Sequence, residues 1–234
     1  MTLVVALQSI DGMALATDSR STIGDPRGTT ATNDTANKLF RLSDHCALIV
    51  SGAAELANTL VDELQRHISK DDIDKIVVDG SKQFRSRYAE WFKDVTQENR
   101  PVVHFIMSGL ARNPKDTSFS IPRTYLLSSQ TNFAIQLATD GCMMAGIVQY
   151  AIYLKHRFYD PNMEVDQAIR LAIYLISETA TQDPKVGGSI KAAHIIPTGY
   201  SQLSEEEVEG IIRENGEKNK TLKSFFIQGV HNGD

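Results

Sequence analysis

Apolar residues and turn residues alternate at the start of the chain in a way typical of short β-strands. Residues 3–10 and 13–17 are rich in strand-forming side chains. Between them stands Asp11-Gly12, a dipeptide typical of tight type I′ hairpin turns because glycine tolerates a positive φ. We therefore predict that the chain begins with a hairpin and that Asp18 follows its second strand.

A second pair of strands is predicted shortly afterwards. Residues 38–42 and 46–51 again combine apolar runs with an intervening turn. The stretch 21–37 is polar and rich in glycine, proline, aspartate and threonine, and it predicts a long loop.

Helical periodicity begins after Gly52. Leu56, Leu60, Leu64 and Ile68 recur every four residues and predict one buried helix face. The remaining predicted elements are helices at 71–99, from about 144 to 157 and after 161–162, strands at 101–110, 125–127, 132–137 and 192–196, a short helix behind a capping box formed by Ser204 and Glu207, and an edge strand at 222–230.

Strands and helices occur in grouped runs rather than in strict alternation. Such an order favours stacked sheets with helices outside over an alternating βαβ winding. The sequence contains no repeat and no credible linker. We therefore predict an α+β fold, a four-layer α/β/β/α sandwich, formed by one domain that spans residues 1–234.

Composition excludes several classes of protein. The 24 Lys and Arg residues against 29 Asp and Glu residues give a formal net charge of −5, which argues against a general nucleic-acid binder. No run of 18 apolar residues predicts a membrane span, and the apolar start lacks the basic region of a signal peptide. The only cysteines, Cys46 and Cys142, form no disulfide framework, so we expect a cytoplasmic protein without membrane contact.

Common cofactor and catalytic motifs are missing from the sequence. It has no Gly-rich phosphate loop, no paired CxxC, no HExxH and no GxSxG. The six histidines show no close metal-ligand spacing, and lone histidines are usually structural or solvated. We therefore expect neither a cofactor nor a metal.

Thr2 is the strongest candidate for chemistry. A side chain as small as that of threonine permits removal of Met1 by methionine aminopeptidase. The exposed threonine would carry a hydroxyl nucleophile and a free α-amine that serves as its own general base. The α-amine has a pKa of about 7.7–8.0 in model peptides, close to the operating pH.

Six segments together resemble proteasome β-type subunits and their bacterial relatives, which are N-terminal nucleophile hydrolases. In chain order they are Thr2–Leu7, Asp11–Arg20, Lys38–Leu42, Ser51–Ala54, Met163–Ile169 and Asp183–Gly188. The similarity spans residues 2 to about 197. The order of the six segments makes the resemblance fairly specific.

The resemblance implies a role for five residues. The hydroxyl of Thr2 would attack the scissile carbonyl and form an acyl-enzyme. Lys38 would favour the alkoxide and the neutral amine, and Asp18 would keep Lys38 charged and oriented. The backbone N–H of Gly52 would donate to the oxyanion, and Asp183 would support the surroundings of Thr2.

The resemblance also implies a substrate and partners. The substrate would be a polypeptide, contacted by Ser21, Val50 and Ala54, with Val50 near the floor of the pocket for the residue before the cut. A medium apolar floor predicts a preference for hydrophobic or small side chains. The implied assembly is a homo-oligomeric ring or double ring, with room for an ATP-dependent unfoldase as a partner.

Two positions depart from the family pattern. The family carries a serine in a Gly-Ser-Gly turn before its third helix, and we match that turn to Thr139–Met144, which contains no serine. A second serine, three residues after the supporting aspartate, is replaced by Val186. Both departures reduce the hydrogen bonding expected around the amine of Thr2.

Two other functions stay open from the sequence. The chain could be a non-catalytic ring subunit that retains Met1, in which case the nitrogen of Thr2 is an amide and cannot act as a base. Alternatively, it could be an amidohydrolase or transpeptidase of the N-terminal nucleophile class that acts on a small amide. The joint presence of Thr2, Asp18, Lys38 and Gly52 argues against a purely structural role.

Overall fold

Twelve strands and five longer helices build the part of the chain that the computed structural model describes, namely residues 2–25, 28–68 and 72–227. The strands are β1 (Leu3–Gln8), β2 (Met13–Thr17), β3 (Ser21–Asp25), β4 (Gly28–Asn33), β5 (Leu39–Ser43), β6 (Cys46–Gly52), β7 (Val103–Arg112), β8 (Phe119–Ser128), β9 (Gln136–Leu137), β10 (Cys142–Gly146), β11 (Lys191–Ile196) and β12 (Gly199–Gln202). The helices are α1 (Ala54–His67), α2 (Ile73–Trp91), α3 (Gln149–Phe158), α4 (Val165–Gln182) and α5 (Glu205–Ile227).

Two antiparallel five-stranded sheets form the centre of the molecule. One sheet has the strand order β10-β1-β2-β11-β12, and the other has the order β5-β6-β7-β8-β9. A separate hairpin pairs β3 with β4. Because β1 lies between β10 and β2, the residues at its start are held from both sides.

The buried side chains fall into three groups that separate four layers. Leu3, Val5 and Leu7 pack against α3 and α4, whereas Val4 and Ala6 face the second sheet. On the far side of that sheet, Leu48, Phe84 and Phe105 are among the residues that pack with α1 and α2. Both faces of β1 are therefore buried, which explains its unbroken apolar run. The predicted four-layer α/β/β/α sandwich is confirmed.

The first hairpin forms as predicted, but its glycine is needed for a different reason. The loop between β1 and β2 comprises residues 9–12 rather than two residues. Gly12 is not among the residues with a positive φ. A Cβ on Gly12 would lie 2.4 Å from the carbonyl oxygen of Ile195, so close packing of β11 requires the glycine.

The predicted long loop at 21–37 is wrong, because β3 and β4 form a hairpin within it. These strands contain threonine, serine, glycine and asparagine and lack the apolar alternation that marks a half-buried strand. Ile23 is 62% exposed, so hydrophobic patterning carried little signal there.

The region around Met144 was predicted to begin a helix but belongs to strand β10. Helix α3 begins only at Gln149. In the same half, the predicted strand at 132–137 shrinks to Gln136–Leu137, because Asn132 and Phe133 take φ values of 52° and 55° that interrupt a strand.

The C-terminal region is helical where an edge strand was predicted. Ser204 and Glu207 form the predicted capping box, in which Glu207 N donates to Ser204 Oγ (3.3 Å) and Ser204 N donates to Glu207 Oε2 (2.7 Å). The helix behind it is not short but runs for 23 residues to Ile227. The predicted strand at 222–230 is therefore wrong up to Ile227, and its last three positions lie outside the described residues.

Helix α2 ends at Trp91, well before the predicted limit of 99, and strand β12 was not predicted. Within the described parts of the chain, none of the helices is long and apolar enough to span a bilayer.

Candidate active site

Thr2 lies at the start of the central strand β1 and is only 2% exposed. Its carbonyl oxygen accepts a hydrogen bond from Ile147 N (2.7 Å), in the turn between β10 and α3. The next amide, Leu3 N, donates to Asp18 Oδ1 (3.2 Å). The peptide group that joins Thr2 to Leu3 is therefore fixed at both its carbonyl and its N–H by bonds to two other segments.

Lys38 brings its ammonium group to the hydroxyl of Thr2. Lys38 lies just before β5 and is 5% exposed. Its Nζ donates to Thr2 Oγ1, to Asp18 Oδ1 (2.9 Å) and to the carbonyl oxygen of Arg20 (2.5 Å). An ammonium group has three protons, so these three acceptors use its full donor capacity. The hydroxyl oxygen of Thr2 thus lies against a cation whose orientation is fixed.

Asp18 is fully buried directly after β2 and accepts four hydrogen bonds. Oδ1 accepts from Leu3 N and from Lys38, while Oδ2 accepts from Arg20 N (3.2 Å) and Gly187 N (3.1 Å). The carboxylate therefore joins the start of β1, the end of β2, the lysine and the loop after α4.

Burial and charge act in opposite directions on this pair. Burial raises the pKa of Asp18, and the attraction of Lys38 together with the bonds from Gly187 and Leu3 opposes that change. Burial likewise lowers the pKa of the Lys38 ammonium, and the carboxylate of Asp18 opposes this shift. Lys38 consequently releases its proton more readily than a lysine in water.

Asp183 reaches this cluster through its loop rather than through its carboxylate. Its Oδ1 accepts from Lys185 N (2.9 Å), and its carbonyl oxygen accepts from Val186 N (3.1 Å). These two bonds shape the turn that delivers Gly187 N to Asp18. Asp183 therefore acts on the surroundings of Thr2 indirectly, through the loop that bonds to Asp18.

Arg20 and Asp34 hold the same loop from the other side and were not predicted. The guanidinium donates to both oxygens of Asp34 (2.7 Å each) and to the carbonyl oxygen of Pro184 (2.9 Å). A Cβ on Gly187 would lie 2.7 Å from this guanidinium. The only signal in the sequence was the arginine two residues after Asp18, because Asp34 lay in a region predicted to be loop.

Gly52 ends β6 beside the cluster. It is exposed and has a φ of +108°, and a Cβ there would lie 2.2 Å from the carbonyl oxygen of Val102. Only glycine fits this position. Two residues earlier, Val50 N donates to the carbonyl oxygen of Lys38 (3.0 Å), which ties the end of β6 to the lysine.

The three predicted substrate-contacting residues differ in exposure. Ser21 and Ala54 are half-buried at the first positions of β3 and α1. Val50 is 3% exposed and packs in the core beneath α1. A cavity of about 730 Å³ is lined by residues that include Tyr88, Arg100, Val102, Ser129 and Asn132. Gly52 does not line it, although the carbonyl oxygen of Val102 lies beside Gly52.

The sequence analysis matches the family's serine-containing turn to Thr139–Met144, but a different turn, just before α3, contacts Thr2. Cys142 pairs with Leu7 at the far end of β1, so Thr139–Met144 does not reach Thr2. The turn that does is formed by residues 146–148, and Ile147 supplies its bond to Thr2. The sequence match places this turn too early in the chain. The reason is that the sequence predicts a helix from about Met144, where the structure has strand β10 and begins α3 only at Gln149.

Among the described residues, no group of three or more His, Cys, Asp or Glu side chains is arranged to hold a metal ion. The charges that act on Thr2 are supplied by Lys38 and Asp18.

Comparisons with known proteins relate this chain to proteasome subunits. Residues 2–79 match the family model for the proteasome subunit. The proteasome subunit beta of Methanococcus maripaludis (strain C7) is 23% identical over 220 residues, which cover 93% of this chain and 93% of that protein. The proteasome subunit beta of Archaeoglobus profundus is 26% identical over 211 residues, covering 90% and 92%.

Solved structures show the same fold. Anbu, an ancestral beta-subunit from Yersinia bercovieri, superposes with a TM-score of 0.71 at 17% identity, covering 99% of this chain and 100% of that one. A Gly-1 mutant of Anbu from Hyphomicrobium sp. strain MC1 gives a TM-score of 0.71 at 15% identity, with complete coverage of both chains. The resemblance to proteasome β-type subunits is thus confirmed in sequence and in fold.

Proposed function

We propose that this chain, similar to proteasome β subunits along nine-tenths of its length, is a threonine-type endopeptidase whose nucleophile is Thr2 after removal of Met1. The observation that supports this most strongly is the position of the Lys38 ammonium, which donates to both Thr2 Oγ1 and Asp18. A buried lysine against a hydroxyl is an arrangement that activates a nucleophile.

In the proposed reaction, the α-amine of Thr2 takes the hydroxyl proton as Oγ1 attacks the carbonyl carbon of a peptide bond. The amine then passes that proton to the leaving nitrogen as the C–N bond breaks, which leaves an ester on Thr2. Water, activated by the same amine, hydrolyses the ester and restores the hydroxyl. Lys38 remains charged throughout and stabilises the negative charge on Oγ1.

The negative charge on the carbonyl oxygen needs its own donor. Gly52 ends β6 at the surface, two residues after Val50, which bonds to the Lys38 carbonyl, and the backbone N–H of Gly52 is the proposed oxyanion donor. Loss of one such donor typically costs about 3–4 kcal/mol of transition-state stabilisation. The left-handed conformation of Gly52 makes a side chain there unfavourable, which keeps this approach to the site open.

The assembly and partners are proposed from the similarity to proteasome subunits. We propose a homo-oligomeric ring or double ring that encloses Thr2, a polypeptide substrate, and delivery by an ATP-dependent unfoldase in a cytoplasmic setting. Ser21, Val50 and Ala54 are the proposed substrate contacts. Val50 lies beneath the surface and sets the depth of the pocket rather than its rim.

The proposed nucleophile is tested with Thr2→Ala, which removes Oγ1 and leaves the backbone bonds to Ile147 and Asp18 in place. We expect hydrolysis of a peptide amide to be abolished, with the melting temperature and the elution volume unchanged. Thr124→Ala is a matched control, since Thr124 is a buried threonine on β8 that is bonded to Ser108.

Three results would count against the proposal. Full turnover by Thr2→Ala would exclude Thr2 as the nucleophile. An inactive wild-type chain that forms rings and retains Met1 would favour the structural subunit. Hydrolysis limited to small amides, by an oligomer too small to close a ring, would favour an amidohydrolase.

A further inference from the structure

Ser51 lies next to Thr2 without a described role. It is the last residue of β6 before Gly52 and is 3% exposed. A Cβ built on Gly146 would lie 1.8 Å from the carbonyl oxygen of Thr2 and 3.0 Å from Ser51 Oγ. The hydroxyl of Ser51 and the carbonyl oxygen of Thr2 therefore lie close together, around the space that a side chain on Gly146 would occupy.

His104 stands directly opposite Ser51 on the neighbouring strand β7. Ile49 and Ile106, two residues away from each, face the space between the sheets. Because side chains alternate along a strand, Ser51 and His104 face that same space. Directly opposed residues have Cβ atoms about 4.5–5.5 Å apart, so a serine hydroxyl can reach a histidine ring.

Both side chains have unused hydrogen-bonding capacity. Nδ1 of His104 is buried and lacks a partner among the described residues. Ser51 Oγ likewise makes no hydrogen bond to any of the residues that the structure describes. An unpaired buried polar atom costs free energy, and such atoms in native proteins usually mark a functional requirement or a missing partner.

We propose that Ser51 and His104 orient the freed α-amine of Thr2, which donates to Ser51 Oγ while the Ser51 hydroxyl donates to Nδ1 of His104. This inference rests on the proposed function, because the amine exists only after Met1 is removed. Ser51 and His104 are positioning residues, and no proton moves onto the imidazole.

The chemical reason lies in the geometry of a neutral amine. Such an amine has two N–H bonds and one lone pair, and the lone pair must face Oγ1 to accept its proton. A donated bond to Ser51 restricts rotation of the amine and favours that orientation. Burial lowers the pKa of His104, which keeps the imidazole neutral so that Nδ1 can accept from Ser51.

The pair also explains how the site works without the family serines. Residues 146–148, the turn that contacts Thr2, contain no hydroxyl group, and Val186 stands where the second serine is expected. Ser51 supplies a hydroxyl at the same nucleophile from the opposite sheet.

The kinetic test compares four variants: Ser51→Ala, His104→Leu, the double variant and His104→Asn. We expect each of the first two to lower kcat about tenfold with KM within twofold, as expected for losing one orienting hydrogen bond. The double variant should lose no more than either single variant, because the two residues act as one unit. His104→Asn should recover most of kcat, since its amide oxygen can take the place of Nδ1.

A second measurement does not depend on activity. In the Thr2→Ala background, ¹⁵N NMR of labelled histidines, with His104→Asn used for assignment, should show Nδ1 of His104 accepting a hydrogen bond. That signal should move when Ser51→Ala is added. Ser108→Ala is the matched control, since Ser108 is a buried serine on the same face of β7 that bonds to Thr124.

The outcomes separate this inference from the proposed function. An active wild type whose kcat is unchanged in Ser51→Ala and His104→Leu, or in which their losses add, would overturn the inference alone. So would an Nδ1 signal that does not respond to Ser51→Ala. A wild type without Met1 that neither cleaves peptides nor reacts with an epoxyketone would overturn the proposed function and the inference with it.

Discussion

Lys38 is the residue on which the proposed chemistry depends most. Its three protons are all donated, to a hydroxyl, a carboxylate and a carbonyl, so its position is fixed by bonds rather than by packing alone. A second buried lysine, Lys155 on α3, provides a comparison. Its Nζ lies 2.6 Å from Asp140 Oδ2, and no nucleophile is proposed near this pair.

We expect Lys38→Met to lower kcat/KM by about 10³-fold or more, because the alkoxide and the neutral amine both lose their cationic neighbour. Lys155→Met removes a lysine of similar burial and should keep kcat/KM within about threefold. Peptide-amide kinetics of both variants, with melting temperatures as a check on folding, give the answer. Comparable losses in the two variants would mean that Lys38 has only a structural role.

The lowered pKa of Lys38 predicts a loss of activity on the alkaline side. Catalysis needs the ammonium form, and burial makes this form release its proton at a lower pH than an ordinary lysine. Activity should therefore fall as pH rises through that pKa, below the usual value of 10.5.

Asp18→Asn provides the test of that assignment. The carboxylate of Asp18 raises the pKa of Lys38, so removing its charge should move the alkaline limb of kcat/KM to still lower pH. An alkaline limb that stays in place in Asp18→Asn would show that another group controls it.

For single residues, the sequence was sufficient to predict site residues that lie within the segments resembling proteasome β-type subunits. Thr2 was predicted from its residue type and position, Asp18 and Lys38 were predicted from the resemblance, and the structure brings all three together. Ser51 begins one of those segments, but the proposed roles of Asp34, Ser51 and His104 could not be predicted in the same way. Their positions depend on a hairpin and on strand register, which single residue types do not reveal.

Among the structural elements, the end of β10 packs most closely against the backbone of Thr2. Gly146 takes a φ of +98° there, and a Cβ would lie 1.8 Å from the carbonyl oxygen of Thr2. Gly199 takes a φ of +133°, but the nearest atom to its Cβ would be 3.6 Å away. The two glycines have the same type of backbone conformation and differ in crowding.

We therefore expect Gly146→Ala to lower activity about 10²-fold, because the new methyl group must displace Thr2 from Lys38. Gly199→Ala should lose only about 1 kcal/mol of stability from backbone strain and remain active. Urea denaturation and peptide-amide kinetics separate the two effects. Full activity in Gly146→Ala would show that the turn tolerates movement of Thr2.

Elements with a strong apolar period were predicted well, and polar elements were not. Helix α1 and the pairing of β5 with β6 follow from buried leucines, isoleucines and valines. Strands β3 and β4 were not predicted, because most of their residues are polar. Strand β10 was predicted in part as the start of the helix that follows it. The apolar end of α5, including Phe225 and Phe226, resembles an edge strand, although both side chains are over 70% exposed.

For the whole molecule, the order of strands and helices was sufficient to predict the four layers. Grouped runs leave few ways to cover two sheets, and the buried residues separate into the three expected groups. The joining of distant segments at Asp18 could not be predicted, because Leu3, Lys38 and Gly187 meet there only after both sheets have formed.

The central claim, that the first residue of the mature chain is the nucleophile, is tested most directly by intact-mass measurement of protein from its native host before and after treatment with an epoxyketone. Such a probe bonds to both the hydroxyl and the free amine of an N-terminal threonine. We predict a chain lacking Met1 that gains one probe per subunit at Thr2. A chain that retains Met1 and gains no probe would contradict the claim.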